Sequence, residues 1–304
     1  MTPLRGIALK LLAVFVFAIM ASLIKATSDD VPPGQAVFFR SFFALPVILG
    51  WLALRGDLST GLRTRRPMGH LWRGLIGVSA MICGFAALGL LPLPEVTVLG
   101  FAAPLMTVVL AAIFLGERLR AFRIGAVLLG LVGVLAVMWP RLTLADVDNA
   151  AAQGVSLVLM SALLRAVATI HIRRLVATEQ TSAIVFYFSL TATVLSLASL
   201  PFGWTAPPPT TVAMLVGAGL LGGLGQIFLT SAYRNAEAAL LAPFDYAAIL
   251  FAILFGAVLF DELPSVSVIV GSVIVIFAGI LIIWRERQLG LKRGTARAGL
   301  TPNG

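Results

Sequence analysis

Arg165, Gln226 and Asp245 each stand inside an apolar stretch, about seven residues from the same end of their respective stretches. At 1.5 Å per residue that is ~10 Å below one face, deep enough to form a single polar layer. A guanidinium suits a carboxylate and a carboxylate suits an ammonium, so Arg165 and Asp245 could hold the two charges of a small zwitterion, with the Gln226 amide beside them. The same two charges could equally neutralise one another as a buried structural pair. Asp245 is the one acid expected well inside an apolar stretch, and it is the candidate for any proton coupling. Phe101, Phe244, Tyr246 and Met81 complete the expected binding surface as an apolar wall. Arg40 and Glu95 could pair as a gate, although Arg40 could also snorkel to an interface and Glu95 could serve a helix start. Pro104 and Pro243 each delete a backbone hydrogen bond, which makes them either hinges or packing kinks.

The composition says what medium these residues work in. Of 304 residues, 60% are hydrophobic and 12% charged, and mean hydropathy is +1.03, too few charges to wet the surface of a soluble globule. One cysteine and two histidines exclude a disulfide framework and offer no metal site. No cofactor is expected. Phosphate-loop, G-x-S-x-G and H-E-x-x-H patterns are absent, which sets aside an ATP-driven pump and leaves an intramembrane enzyme as the weaker non-transport alternative.

Ten apolar runs follow, at roughly 7–26, 34–53, 71–91, 95–115, 122–139, 152–172, 182–202, 211–233, 238–260 and 265–284. Each is long enough to span a bilayer. With ten spans, seventeen Lys and Arg fall on one side, Arg73 among them, and only Lys25 and Arg141 on the other; Lys10, Arg40 and Arg165 lie within spans. That asymmetry places both termini in the cytoplasm of a bacterial inner membrane and explains the net charge of +9 without nucleic acid. The expected partners are the lipid bilayer and a small-molecule substrate, with a monomer or weak dimer as the assembly.

The chain also matches itself. Gly6 and Lys25 fall on Gly154 and Arg173, Ala36 and Phe39 on Ala183 and Phe186, Gly74, Gly77 and Glu117 on Gly219, Gly222 and Glu262, and Gly125 and Gly133 on Gly271 and Gly279. The two halves are therefore expected at 1–144 and 145–288, with 289–304 as a disordered basic tail. Five is odd, so the second copy enters the membrane from the opposite side. The expectation is an all-α membrane protein of ten helices in two inverted-topology repeats.

The run FAAPLMTVVLAAIFLGERLRAFRIGAVLLGLVGVLAV after Leu99, and LAPFDYAAILFAILFGAVLFDELP ending at Pro264, resemble the repeat signature of the EamA-type drug/metabolite transporter superfamily. The second copy departs from the first by carrying Ile249 where the first has Pro104. This resemblance implies a secondary transporter working by alternating access, with the third, fourth, eighth and ninth helices around the cavity. The elements APFDY and FDELP look most like those of bacterial exporters of amino acids, including aromatic ones. Carriers of S-adenosylmethionine or cationic drugs are the alternative within the same fold.

Overall fold

The computed structural model describes residues 3–115, 121–143, 149–175, 178–236 and 238–298. Glu117 lies outside the described residues. Ten helices carry the ten apolar runs: α1 Pro3–Ala26, α2 Pro33–Leu54, α3 Pro67–Leu90, α4 from Leu93–Gly100 and Ala102–Leu115, and α5 Ala121–Thr143 in the first half. The second half contributes α6 Asn149–Leu175, α7 Thr181–Ser196, α8 Pro209–Asn235, α9 and α10 Val266–Ala298. Helix α9 is composite, with a turn at Ala238–Leu241, a 3-10 stretch at Ala242–Tyr246 and an α-helix over Ala247–Phe260. Among the described residues nine segments meet both length and hydropathy for a bilayer, and the apolar part of α5 is shorter, Ile124–Pro140. Helix α10 runs on to Ala298, into the stretch where a tail was expected.

The packing exchanges one half for the other. Helix α1 lies along α8 as α6 lies along α3, α2 meets α8 as α7 meets α3, and α9 meets α1 as α4 meets α6. The pairs α5–α10, α2–α7 and α4–α9 each map onto themselves. Each of these relations is what two copies offset by five helices require, and the inverted repeat is thereby visible as packing.

Small residues let these helices approach. A Cβ added at Gly133 would stand 2.9 Å from the Gly271 carbonyl, and one at Gly271 would stand 2.6 Å from the Gly133 carbonyl, so α5 and α10 cross backbone to backbone. Large apolar side chains point outward in helical rows, among them Leu250, Leu254 and Val258 on α9 and Leu128, Val132 and Leu135 on α5. In water such rows would be an aggregation surface; in lipid they cost nothing.

Prolines set the breaks. Pro104 lacks the N–H that would bond Gly100, and α4 turns at Phe101, three residues earlier. Helix α2 turns in the same way at Phe43, three residues before Pro46. Pro243 falls at the start of the 3-10 stretch of α9, which carries Phe244, Asp245 and Tyr246. A 3-10 run inside a membrane helix frees carbonyls and re-aims side chains, and it puts Asp245 at the break.

Candidate substrate site

The acid in this break has a cationic partner that depth along the helices did not single out. Lys10 Nζ of α1 lies 2.6 Å from Asp245 Oδ1. It also donates to the Tyr233 hydroxyl at 3.4 Å and stands 5.2 Å from the centre of that ring. The Lys10 side chain is 2% exposed, whereas Asp245 is 45% exposed. The carboxylate is thus the open end of the pair and the ammonium its sealed end. Lys10 is seven residues into α1 and Asp245 seven residues past Ala238, so the pair lies at one depth, without Arg165 or Gln226.

Arg165 makes no ion pair with Asp245 among the described residues. Its Nη2 donates to the Gly100 carbonyl at 3.4 Å, the acceptor that Pro104 leaves without its helical donor. Each broken helix therefore receives a cation from the first helix of the opposite repeat, α1 on α9 and α6 on α4. Between the two breaks Phe101 stacks on Tyr246, with ring centres 4.7 Å apart and planes 23° from parallel. Tyr246 is seated against Gly279, where a Cβ would fall on its hydroxyl. Arg165 on Gly100 and Phe101 on Tyr246, the neighbour of Asp245, thus link α6, α4 and α9 through successive contacts.

The other expected residues lie elsewhere. Gln226 lines a narrow crevice with Ile48, Trp51, Ser182, Val185, Ile227 and Thr230, none of which belongs to the Lys10–Asp245 pair or the aromatic stack. Met81 packs on the buried Val37, Val78 and Ala192 between α2, α3 and α7. Phe244 is half-buried in the 3-10 stretch. Glu95 is buried in the first turn of α4. Arg40 makes no ion pair with it among the described residues; its guanidinium lies over Phe188 of α7 instead, with Cζ 6.0 Å from the ring centre. The rotation of one helix against another decides this, and depth alone does not contain it.

A gate-like tie does exist, made by other residues. Glu262 Oε1 accepts from Lys25 Nζ at 2.8 Å, and its Oε2 accepts the Leu93 N–H at 2.8 Å, capping the start of α4. Lys25 also donates to the carbonyls of Leu88 and Leu91 at 3.0 and 2.9 Å, at the end of α3. The ends of α1, α3, α4 and α9 are knotted by two side chains. Asp261 makes this possible: at φ 54° it takes the left-handed conformation, the Glu262 N–H closes on Gly256 at 2.9 Å, and the chain doubles back. Repeat matching picked out both Lys25 and Glu262 without bringing them together.

At the other end of the bundle, Glu179 between α6 and α7 accepts the Arg65 N–H at 2.8 Å and meets His70 Nε2 at 3.3 Å. Desolvation pushes the Glu179 carboxyl upward, but bonds from the Arg65 N–H, His70 and Thr64 outweigh it and hold the carboxyl below its ordinary range.

The fold and this geometry define a membrane transporter built from two copies of one unit. The chain belongs to the EamA-like transporter family, which matches residues 4–139 and 152–285. It is 32% identical over 277 residues to the pseudopaline exporter CntI of Pseudomonas aeruginosa, covering 90% of this chain and 94% of that protein. To an S-adenosylmethionine uptake transporter of Rickettsia bellii it is 27% identical, over 94% and 99% of the two chains. A solved crystal structure shares the fold with a TM-score of 0.66 at 21% identity, over 93% of this chain and 98% of that one.

Proposed function

We propose that this protein is a gradient-driven or facilitative exporter of amino acids or related small metabolites, working by alternating access in a bacterial inner membrane with both termini cytoplasmic. The observation that carries the reading is the Lys10–Asp245 pair at the break of α9, beside the Phe101–Tyr246 stack. An ammonium of the substrate replaces Lys10 at the open Asp245 carboxylate, its carboxylate takes the released Lys10 or Arg165, and its apolar part meets the aromatic pair. Exchange of one ion pair for another keeps the layer neutral, which limits the desolvation cost of admitting a zwitterion.

Alternating access needs an end that opens. The charge asymmetry puts Lys25 and Glu262 on the periplasmic side, so their tie is the contact that parts when the cavity faces outward. The relatives support export and uptake alike, since one is named for exporting pseudopaline and another for taking up S-adenosylmethionine. Both compounds therefore belong in the test.

That test is counterflow. Liposomes holding the purified protein are preloaded with the proteinogenic amino acids, S-adenosylmethionine or pseudopaline, and entry of labelled solute is followed for wild type, Asp245→Asn and Lys10→Met. Selective exchange of one class, with either variant changing selectivity or rate, is the expected result. Exchange that both variants leave untouched would move the substrate site away from this pair. Exchange of no amino acid, with S-adenosylmethionine or a cationic dye carried instead, would replace the amino-acid reading.

A further inference from the structure

Two guanidinium groups lie inside the bundle and join no ion pair among the described residues. Arg40 of α2 is 4% exposed, and its Nε and Nη1 have no hydrogen-bond partner; the Nε of Arg73 on α3 is likewise buried and unpartnered. Neither joins any of the four ion pairs among the described residues, which are Lys10–Asp245, Lys25–Glu262, Arg55–Asp57 and His70–Glu179. Both face one ring. Arg73 Cζ stands 4.0 Å from the centre of Phe188, and Arg40 Cζ 6.0 Å from the same centre.

The two arginines enter from opposite ends. Arg40 is seven residues into α2 and Arg73 six residues into α3, and these antiparallel neighbours bring the two heads together at α7. Glycines leave room for them: a Cβ at Gly222 would lie 3.2 Å from Arg40 Nε and as close to Met20 Sδ, and one at Gly77 would strike Arg73 Nη1. Apolar side chains pack beside them, with Val37, Val78 and Ala192 buried and Met81 and Phe85 packed on those three. An aromatic face offsets part of the cost of a buried cation, but it cannot satisfy N–H donors or cancel the repulsion between two like charges. Such an arrangement is held at a cost in stability, and intramembrane charges that are not neutralised by the protein mark the path of a solute.

We propose that Arg40 and Arg73, over Phe188, form an anion-binding site inside the bundle for an anionic oxygen group, carboxylate or phosphate, of the transported solute. The inference rests on the transporter reading and extends it, because this site lies apart from the Lys10–Asp245 pair and demands a solute with an acidic group of its own. Arginine suits such a site because it stays charged in an apolar setting and presents several donors in a planar fork.

Binding is measured separately from transport. Full-length protein in phosphatidylcholine nanodiscs is heated in chloride buffer with glutarate, inorganic phosphate or neutral glutaramide at matched ionic strength. Glutarate or phosphate is expected to raise the wild-type midpoint by roughly 2–4 °C, the range for a chain of this size when ligand stands well above its Kd; glutaramide is expected to leave it unchanged. The preferred anion names the group. Arg40→Gln and Arg73→Gln should each remove at least half of the rise and the double variant all of it, while their midpoints without anion equal or exceed wild type, because an unpaired charge has been removed. A purely structural role for these arginines predicts lower midpoints. Should Arg40→Gln fail to fold, Arg40→Lys, which keeps the charge but loses the fork, is expected to fold and show a reduced rise.

Equal rises in wild type and double variant, or no rise with either anion, would overturn the proposal. A rise produced by phosphatidylglycerol nanodiscs alone, and lost in the double variant, would assign the site to a lipid headgroup and overturn the solute assignment. Counterflow without anion binding would sink the site and leave the transporter reading standing; anion binding without counterflow of any solute would do the reverse.

Discussion

Replacing Glu262 with glutamine removes one charge from the knot that joins α1, α3, α4 and α9, and little else. The side chain keeps its length, and its amide oxygen can still accept the Leu93 N–H, at the cost of the charge that strengthens that cap. What is lost is the 2.8 Å charged contact with Lys25, in a setting where the two side chains are 12% and 19% exposed. Charge-assisted hydrogen bonds contribute ~1.5–3 kcal/mol when largely shielded, and removal of a helix cap ~0.5–2 kcal/mol. With the cap partly retained, a loss of about 2 kcal/mol follows, which shifts the balance between tied and parted ends by about 30-fold. Ser22 reports that balance, being 3% exposed one turn below Lys25 on α1. With Cys83 replaced by serine and Ser22 by cysteine, the rate of modification by a membrane-impermeant thiol reagent follows the parted population. Glu262→Gln is expected to speed modification by about 10- to 30-fold, with the thermal midpoint recorded to show that the protein remains folded. Rates within a factor of about two of one another, about 0.4 kcal/mol, would refute the claim that this pair holds the end shut, since that is well below the ~1.5–3 kcal/mol of a charge-assisted hydrogen bond.

Lys10→Met and Asp245→Asn should each slow counterflow, and the double variant should lose less than the sum of the two in free energy, because the pair meets one substrate together; additive losses in a double-mutant cycle would show that the two do not act as a pair. At Gly279, alanine pushes Tyr246 off Phe101 while favouring the helix, so solute Kd should weaken about three- to tenfold, the worth of an aromatic stack, with the thermal midpoint held or raised. An unchanged Kd would remove the stack from the site. Pro104→Ala restores the N–H that bonds Gly100 and displaces Arg165 from it; counterflow should slow while the midpoint rises, and faster transport would speak against the break in α4 as a working part. Glu179 has its carboxyl held below the ordinary value of 4.5 in the folded state. Its stabilisation is complete above that value and is lost as pH falls through the lowered one. The difference in midpoint between wild type and Glu179→Gln should accordingly stay constant above about pH 4.5 and shrink below it; a difference that grew toward acid would mean that the carboxyl is raised rather than lowered by folding.

Much of this architecture was legible in the chain itself. Hydropathy over ~20 residues is a local property, and so the ten helices stand where the apolar runs stand. The repeat was legible because glycines recur at a nearly constant offset, Gly125 and Gly133 falling on Gly271 and Gly279, and two of these four, Gly133 and Gly271, meet at the α5–α10 contact. Depth was legible too, since rise per residue is constant, and it brought Asp245 forward as a residue of interest. Lys10 stands only three residues into its apolar run of 7–26, and it reaches the depth of Asp245 only because α1 begins at Pro3.

Only the tertiary structure decided which charges meet. Each residue turns a helix by about 100°, so a side chain at known depth can face lipid, a neighbour or the bundle centre, and its partner comes from a helix distant in the chain. That is why Asp245 takes Lys10, why Arg165 takes the carbonyl released by Pro104, and why Arg40 and Arg73 share Phe188 although Arg40 was first set against Glu95 and Arg73 counted among basic residues at the surface. The left-handed Asp261 is a further case: aspartate tolerates that conformation, but only the packing shows that the turn swings Glu262 onto Lys25 and the start of α4. Residence in the bilayer follows from the sum of side-chain hydrophobicities, whereas the pairing of charges depends on the rotation and crossing of helices, which are set only when all ten pack together.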